Sequence, residues 1–254
     1  MTALLSALCL ALPLTAAPHT DDAGKTPPGE MTVIATDDDA EVAETVTAYA
    51  TKGRAKIRAF FGRPIAKPFQ FHVLPSRAAF DGFFREKWKI EETQCWWVAA
   101  GISTDLVLLS PRVWSSDACE HDGEDEAEVR GIVMHELVHV FHGQSNAKLE
   151  ELETIGWFIE GLATYVSGQL DEERMTSLRP AIEAGDAVPK SLERAWSGKH
   201  RYGVSGTLVQ YIDRTYGREM IERLLPMTTE KQILGALELT EEELLERWRA
   251  FVLE

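Results

Sequence analysis

Cysteine is scarce: three residues in 254, so disulfides do not build this fold and can at most pin it. Basic residues are outnumbered, 26 Lys plus Arg against 41 Asp plus Glu, and the resulting formal charge of −15 repels phosphate backbones and anionic headgroups. Nucleic acid is therefore not expected as a partner. No apolar run is long enough to span a bilayer, and no repeat or low-complexity tract breaks the chain after its first thirty residues. What is present is a globular composition, 44% hydrophobic and 26% charged, which excludes disorder or coiled coil as the overall description and allows a sizeable core.

Residues 1–17, MTALLSALCLALPLTAA, carry no charge and run apolar from Ala3 to Leu14, the length of a signal-peptide core. They are expected to be an export signal, with residues 18–30, polar and holding three prolines, as a linker. Cys9 is preceded by Leu8, which is larger than lipoprotein processing takes, so lipid attachment is not expected. Removal of the leader would leave Cys95 and Cys119 as a pair in a compartment that allows one bridge between them.

The patterning predicts a strand over Met31 to Thr36 and a helix over Asp39 to Phe61 that stops at Gly62 before Pro64. A strand follows over Phe69 to Leu74, then a helix over Ser76 to Trp88 capped by Ser76. Trp96 to Ile102 and Leu106 to Ser110 flank Ser103, Thr104 and Asp105 as the arms of a hairpin. From Glu124 onward nearly everything reads as helix, and Thr240 caps a last one whose first turn holds Glu241, Glu242 and Glu243. The expected class is α+β: an N-terminal α/β lobe over 31–143 ending in an active-site helix, then a helical lobe over 144–254.

The chemistry sits at the junction. His135-Glu136-Leu137-Val138-His139 lies in a helical run, Val129 to His142, expected to end at Gly143. Residues four apart on a helix are separated by about 40° around the axis, so both imidazoles can face one metal ion. Glu136, rotated about 100° from His135, can reach a water beside that ion. His142 falls two turns from His135, too far to share the ion, and is expected at the rim of the site or as an ordinary helix-end histidine.

A catalytic zinc takes three protein ligands and keeps one position open. The third is expected in Trp157 to Tyr165, an apolar helix into which one carboxylate, Glu160, has been set, with twenty residues between it and His139. A buried carboxylate is costly unless something positive meets it. Gly161 and Ala163 beside it are expected to let this helix approach the histidine-bearing one.

HELVH together with WFIEGLATY resembles the gluzincin metallopeptidases, in particular the peptidase-MA-like domains of exported bacterial proteins, over Val129 to Leu225. The resemblance implies one zinc ion held by His135, His139 and Glu160, with Glu136 as catalytic base. It also implies a small sheet whose edge strand, in or near Trp96 to Ile102, receives a peptide backbone. Tyr202-Gly203-Val204-Ser205, leading into Leu208 to Ile212, is similar to a later tyrosine-bearing helix of those domains. Tyr202 is accordingly the candidate oxyanion donor, with Tyr165 and Tyr211 as competitors. Thr164, four residues after Glu160, cannot supply a charge behind a zinc histidine, which leaves that supporting partner unnamed. No Gly-x-Met-Glu-Asn segment precedes HELVH, so endopeptidase action is favoured over aminopeptidase action. A non-catalytic zinc-bound interaction module of the same fold is the alternative; a base beside the metal argues against it.

Overall fold

The computed structural model describes residues 29–146, 148 and 155–254. The export signal expected over 1–17, and nearly all of the linker, lie outside the described residues. Three strands and two helices alternate first: β1 (Met31–Ile34), α1 (Ala40–Phe61), β2 (Phe69–Leu74), α2 (Arg77–Trp88) and β3 (Ala99–Ile102), followed by β4 (Asp105–Leu109). The predicted boundaries hold within two or three residues wherever a stop signal is physical. Gly62 ends α1 in the left-handed conformation at φ 67°, and the Ser76 hydroxyl accepts the Ala79 amide to open α2.

The sheet order is β1-β2-β4-β3; β1, β2 and β4 run parallel and β3 lies antiparallel at the edge. Phe69, Phe71 and Val73 of β2 and every residue of β4 are buried, as strands covered by crossover helices require.

The hairpin departs from expectation at both arms. Asp105 is the first residue of β4, paired with Ile102, and not part of the turn. Lys87 Nζ at 2.9 Å and His72 Nε2 at 3.5 Å meet its carboxylate, which lets an acid be buried inside a strand. Trp96 and Trp97 do not join β3, because their carbonyls are taken up elsewhere: Trp96 O by His121 Nε2 at 2.9 Å, Trp97 O by Arg77 Nη1 at 2.6 Å. The same segment holds the expected bridge; Cys95 and Cys119 form a disulfide with their Cα atoms 5.4 Å apart.

After a short α3 (Trp114–Asp117), every regular element among the described residues is helical: α4 (Glu126–Ser145), α5 (Gly156–Ser167), α6 (Glu172–Ala184), α7 (Leu192–Ala195), α8 (Arg201–Tyr216), α9 (Arg218–Leu224), α10 (Glu230–Leu237) and α11 (Glu241–Leu253). Small mixed sheet first and helices after: the α+β class is observed. No helix is long and apolar enough to cross a membrane among the described residues.

Helix α4 occupies the middle. It packs on β3 and β4 on one side and on α1 and α5 on others, with Phe141 stacked on Phe61 of α1 at 4.2 Å. Its start lies three residues earlier than predicted, because the Asp125 carboxylate accepts the Ala127 and Glu128 amides at 2.8 and 3.2 Å. Its end is later as well: Gly143 lies inside the helix. A Cβ there would stand 2.8 Å from the Ser103 amide nitrogen, so the glycine serves close packing against the hairpin turn and does not stop the helix.

Candidate metal centre

His135 and His139 lie one turn apart on the buried face of α4, 6% and 8% exposed, with ring centroids 4.8 Å apart. Donor atoms of His135, Glu136 and His139 all fall within 4.8 Å of one another, a group that can hold a metal ion. Glu160 enters from α5. Its Oε2 is 3.2 Å from His135 Nε2 and its Oε1 is 3.6 Å from His139 Nε2.

These separations test the fit. Two donors, each about 2.0–2.1 Å from a tetrahedral zinc, are about 3.3 Å from each other, which is the spacing found between Glu160 and the two histidines. Two imidazoles and a carboxylate are also the donor types zinc takes, and three of them leave one position for a reactant.

The charges point the same way. Burial works against ionisation of Glu160, but the charges and hydrogen bonds of His139 and His135 outweigh it and hold the carboxyl well below its usual range. Burial likewise opposes the charged form of His139. Glu160, with a smaller contribution from Glu136, overcomes that and lifts the imidazole to about 9. In other words, the pocket carries enough negative charge to retain protons where a cation would sit. Glu136 moves the other way: burial raises it most, with help from Glu160, against the two histidines and the Gly101 amide. A carboxylate raised toward neutrality is suited to accept a proton.

Gly101 links this acid to the sheet edge. A Cβ at Gly101 would stand 2.1 Å from the Glu136 carbonyl oxygen, so β3 can lie this close to α4 only with glycine there. The smallness of Gly101 thus serves contact with the helix. Gly161 needs a similar correction: it faces α8 and not α4, with a Cβ placed 2.3 Å from Ser205 O. The glycine beside Glu160 locks α5 onto α8, and Glu160 reaches the histidines from the helix so fixed.

The partner behind His135, unnamed from sequence, is Gln169. Its Oε1 lies 2.7 Å from His135 Nδ1. Gly168 ends α5 in the left-handed region at φ 90°, and this turn brings Gln169 back, its amide on Thr164 O at 3.1 Å. Arg174 Nε then takes the Gln169 carbonyl at 2.7 Å. A lone glutamine after a helix-ending glycine has no motif; only the Gly168-Gln169 step following the Glu160 helix could have signalled it.

Tyr202, in the first turn of α8, is brought to the site, its ring 6.0 Å from that of His135. Burial first, then Glu160 and Glu136, raise its phenol to about 12 against the opposing Arg201, so it remains a donor. The competing tyrosines are engaged elsewhere. Tyr165 donates to Asp213 Oδ2 at 2.8 Å, and Tyr211 packs against Phe251 and Tyr216.

His142 is not at the rim. It is fully buried, with Nε2 3.0 Å from Leu225 O, and burial lowers it to about 4. A neutral imidazole donating to that carbonyl ties α4 to the end of α9.

A family model described as BSP, peptidase of plants and bacteria, matches residues 90–232, from just before β3 into α10. The matched segment contains every residue of the centre described above. No curated protein and no solved structure matches the chain.

Proposed function

The chain belongs to the BSP family, peptidases of plants and bacteria, and on that premise we propose that it is a zinc metallopeptidase of gluzincin type, acting as an endopeptidase on peptides or proteins. The observation that carries this reading is the approach of one carboxylate, Glu160, to both Nε2 atoms of the HELVH helix at 3.2 and 3.6 Å, with Glu136 beside them. His135, His139 and Glu160 would hold the ion. Bound there, zinc would polarise a scissile carbonyl and make water more acidic.

The protein's own groups supply the rest. Glu136, its carboxyl raised by burial, takes the proton of the attacking water and delivers it to the leaving nitrogen. Tyr202, kept protonated, donates to the oxygen that gains charge on the attacked carbon. The peptide pairs with the free edge of β3, whose Gly101 touches Glu136. Gln169 holds His135 in the orientation that presents Nε2.

We further read residues 31–254 as one peptidase domain that is exported behind the leader 1–17. The Cys95–Cys119 disulfide supports an oxidising destination.

Metal analysis of purified protein, joined to a digest of unfolded casein, tests the reading. About one zinc per chain is expected, with cleavage abolished by chelator and restored by zinc. A His135→Ala, His139→Ala double variant should hold none. Full zinc occupancy in that variant, or no cleavage by the zinc-loaded wild type, would overturn it.

A further inference from the structure

Arg201, the first residue of α8, is held in an unusual way. Its guanidinium carbon lies 5.4 Å from the ring centre of Trp96, 5.3 Å from Trp196 and 5.3 Å from Tyr202. These rings come from three places: the segment before β3, the residue after α7, and α8 itself. The arginine therefore spans from the helical part of the molecule to the sheet side, where β3 offers its free edge. Tyr202, against which it packs, is the ring 6.0 Å from His135.

Among the described residues no carboxylate lies within ion-pair distance of Arg201, whereas Arg63, Arg85, Arg112, Arg218 and Arg247 each have one. Other arginines also lack an ion pair among the described residues; what sets Arg201 apart is its place between three aromatic rings, one of them beside His135. Aromatic rings engage the face of a guanidinium and leave its N–H edge, part of which here also faces the Tyr202 oxygen, to take a carboxylate.

Trp96 adds a second, independent observation. It is 37% exposed, yet its backbone is fixed on both sides. Cys95 beside it carries the disulfide, the Cys95 carbonyl accepts from Arg77 Nη2 at 3.0 Å and from the Cys119 amide at 3.1 Å, and Trp96 O is bonded to His121. The fold pins a large indole in the open instead of burying it, next to a cation with no carboxylate partner among the described residues and three residues before β3. Preorganised aromatic and arginine groups of this kind are what interfaces use as anchors.

We propose that Arg201 is a specificity-determining residue that receives a carboxylate of the bound peptide, and that the substrate class is peptides carrying an acidic side chain or their free C-terminal carboxylate close to the scissile bond. The inference rests on the peptidase reading, since it needs a peptide along β3. A merely structural Arg201, holding Tyr202 and the two tryptophans in place, would affect acidic and neutral peptides alike.

The test uses the zinc-loaded full chain in a Glu136→Gln background, so that bound peptide is not consumed. Octapeptides of Ala, Ser and Gly carry one Glu or one Gln walked along the chain, each as free acid and as C-terminal amide, and binding is followed by calorimetry and tryptophan fluorescence. Glu should bind at least about tenfold more tightly than Gln at one position if a side chain is read, or acid more tightly than amide if the terminus is read. Adding Arg201→Gln should bring that ratio to about one, and Arg201→Lys should keep part of it. Equal binding of all pairs, or a ratio unchanged by Arg201→Gln, overturns the proposal. Cleavage by the wild-type protein separates the two ideas: preference without cleavage by wild type fails the peptidase reading alone, and cleavage without preference fails the Arg201 assignment alone.

Discussion

Gln169 Oε1 lies 2.7 Å from His135 Nδ1. A carbonyl oxygen can only accept, so Nδ1 carries a proton and Nε2 is the atom presented toward Glu160. Groups of this kind orient a metal-binding imidazole and raise its basicity, and their loss typically lowers metal affinity about 10–100-fold. Gln169→Ala should weaken zinc binding by that factor, read by competition with a chromophoric chelator, while Gln169→Glu should retain it. An affinity unchanged in Gln169→Ala would deny the glutamine this role.

His142 gives the protein an acid-sensitive joint. Burial lowers its imidazole from 6.5 in a free chain to about 4, so between these values the unfolded chain binds a proton that the folded one refuses. The associated stability is complete above about pH 6.5 and drains away as pH falls toward 4. The loss is on the order of 3 kcal/mol for a shift of this size. In His142→Gln the amide can still donate to Leu225 O, and the fall in Tm from pH 6.5 to 4 should be smaller than in wild type. Parallel Tm curves over that range would contradict the assignment.

The histidine and Glu160 positions were legible in the sequence because their signal is local. Four-residue spacing fixes the shared face of α4, and one carboxylate in an apolar helix demands a positive neighbour. Helix ends were legible where a residue stops the chain by its own conformation, as Gly62 does, and were misread where a glycine answers to a distant neighbour, as Gly143 does; Gly161, read as a contact with α4, likewise answers to α8. Gln169, Arg201 and Trp96 could not be read in advance. Their meaning lies in which rings and nitrogens the fold brings to them, and no periodicity records that.

The disulfide closes a segment of 24 residues, and the chain-entropy relation gives about 3 kcal/mol for a loop of that length. Cys95→Ser with Cys119→Ser should lose roughly that much in urea unfolding. Trp96 fluorescence should also become more mobile by anisotropy, because its backbone anchor is gone. Two alkylatable thiols in native exported protein would remove the bridge from the account.

Tyr202 is the only one of the three candidate tyrosines placed beside the histidines, and loss of one oxyanion donor typically costs 10²–10³ in kcat. Tyr202→Phe should show that drop with zinc content and Tm near wild type. Tyr165→Phe, which loses the hydrogen bond to Asp213, should instead lower Tm and leave kcat largely intact. The reverse pattern would move the donor role to Tyr165.

Glu136→Gln addresses the central claim most directly, because it removes the base while leaving His135, His139 and Glu160 untouched. Zinc content and peptide cleavage are measured on the same preparation of variant and wild type. The account predicts about one zinc per chain in both and a rate in the variant lower by three or more orders of magnitude. A Glu136→Gln protein that holds zinc and cleaves peptide at the wild-type rate would contradict it.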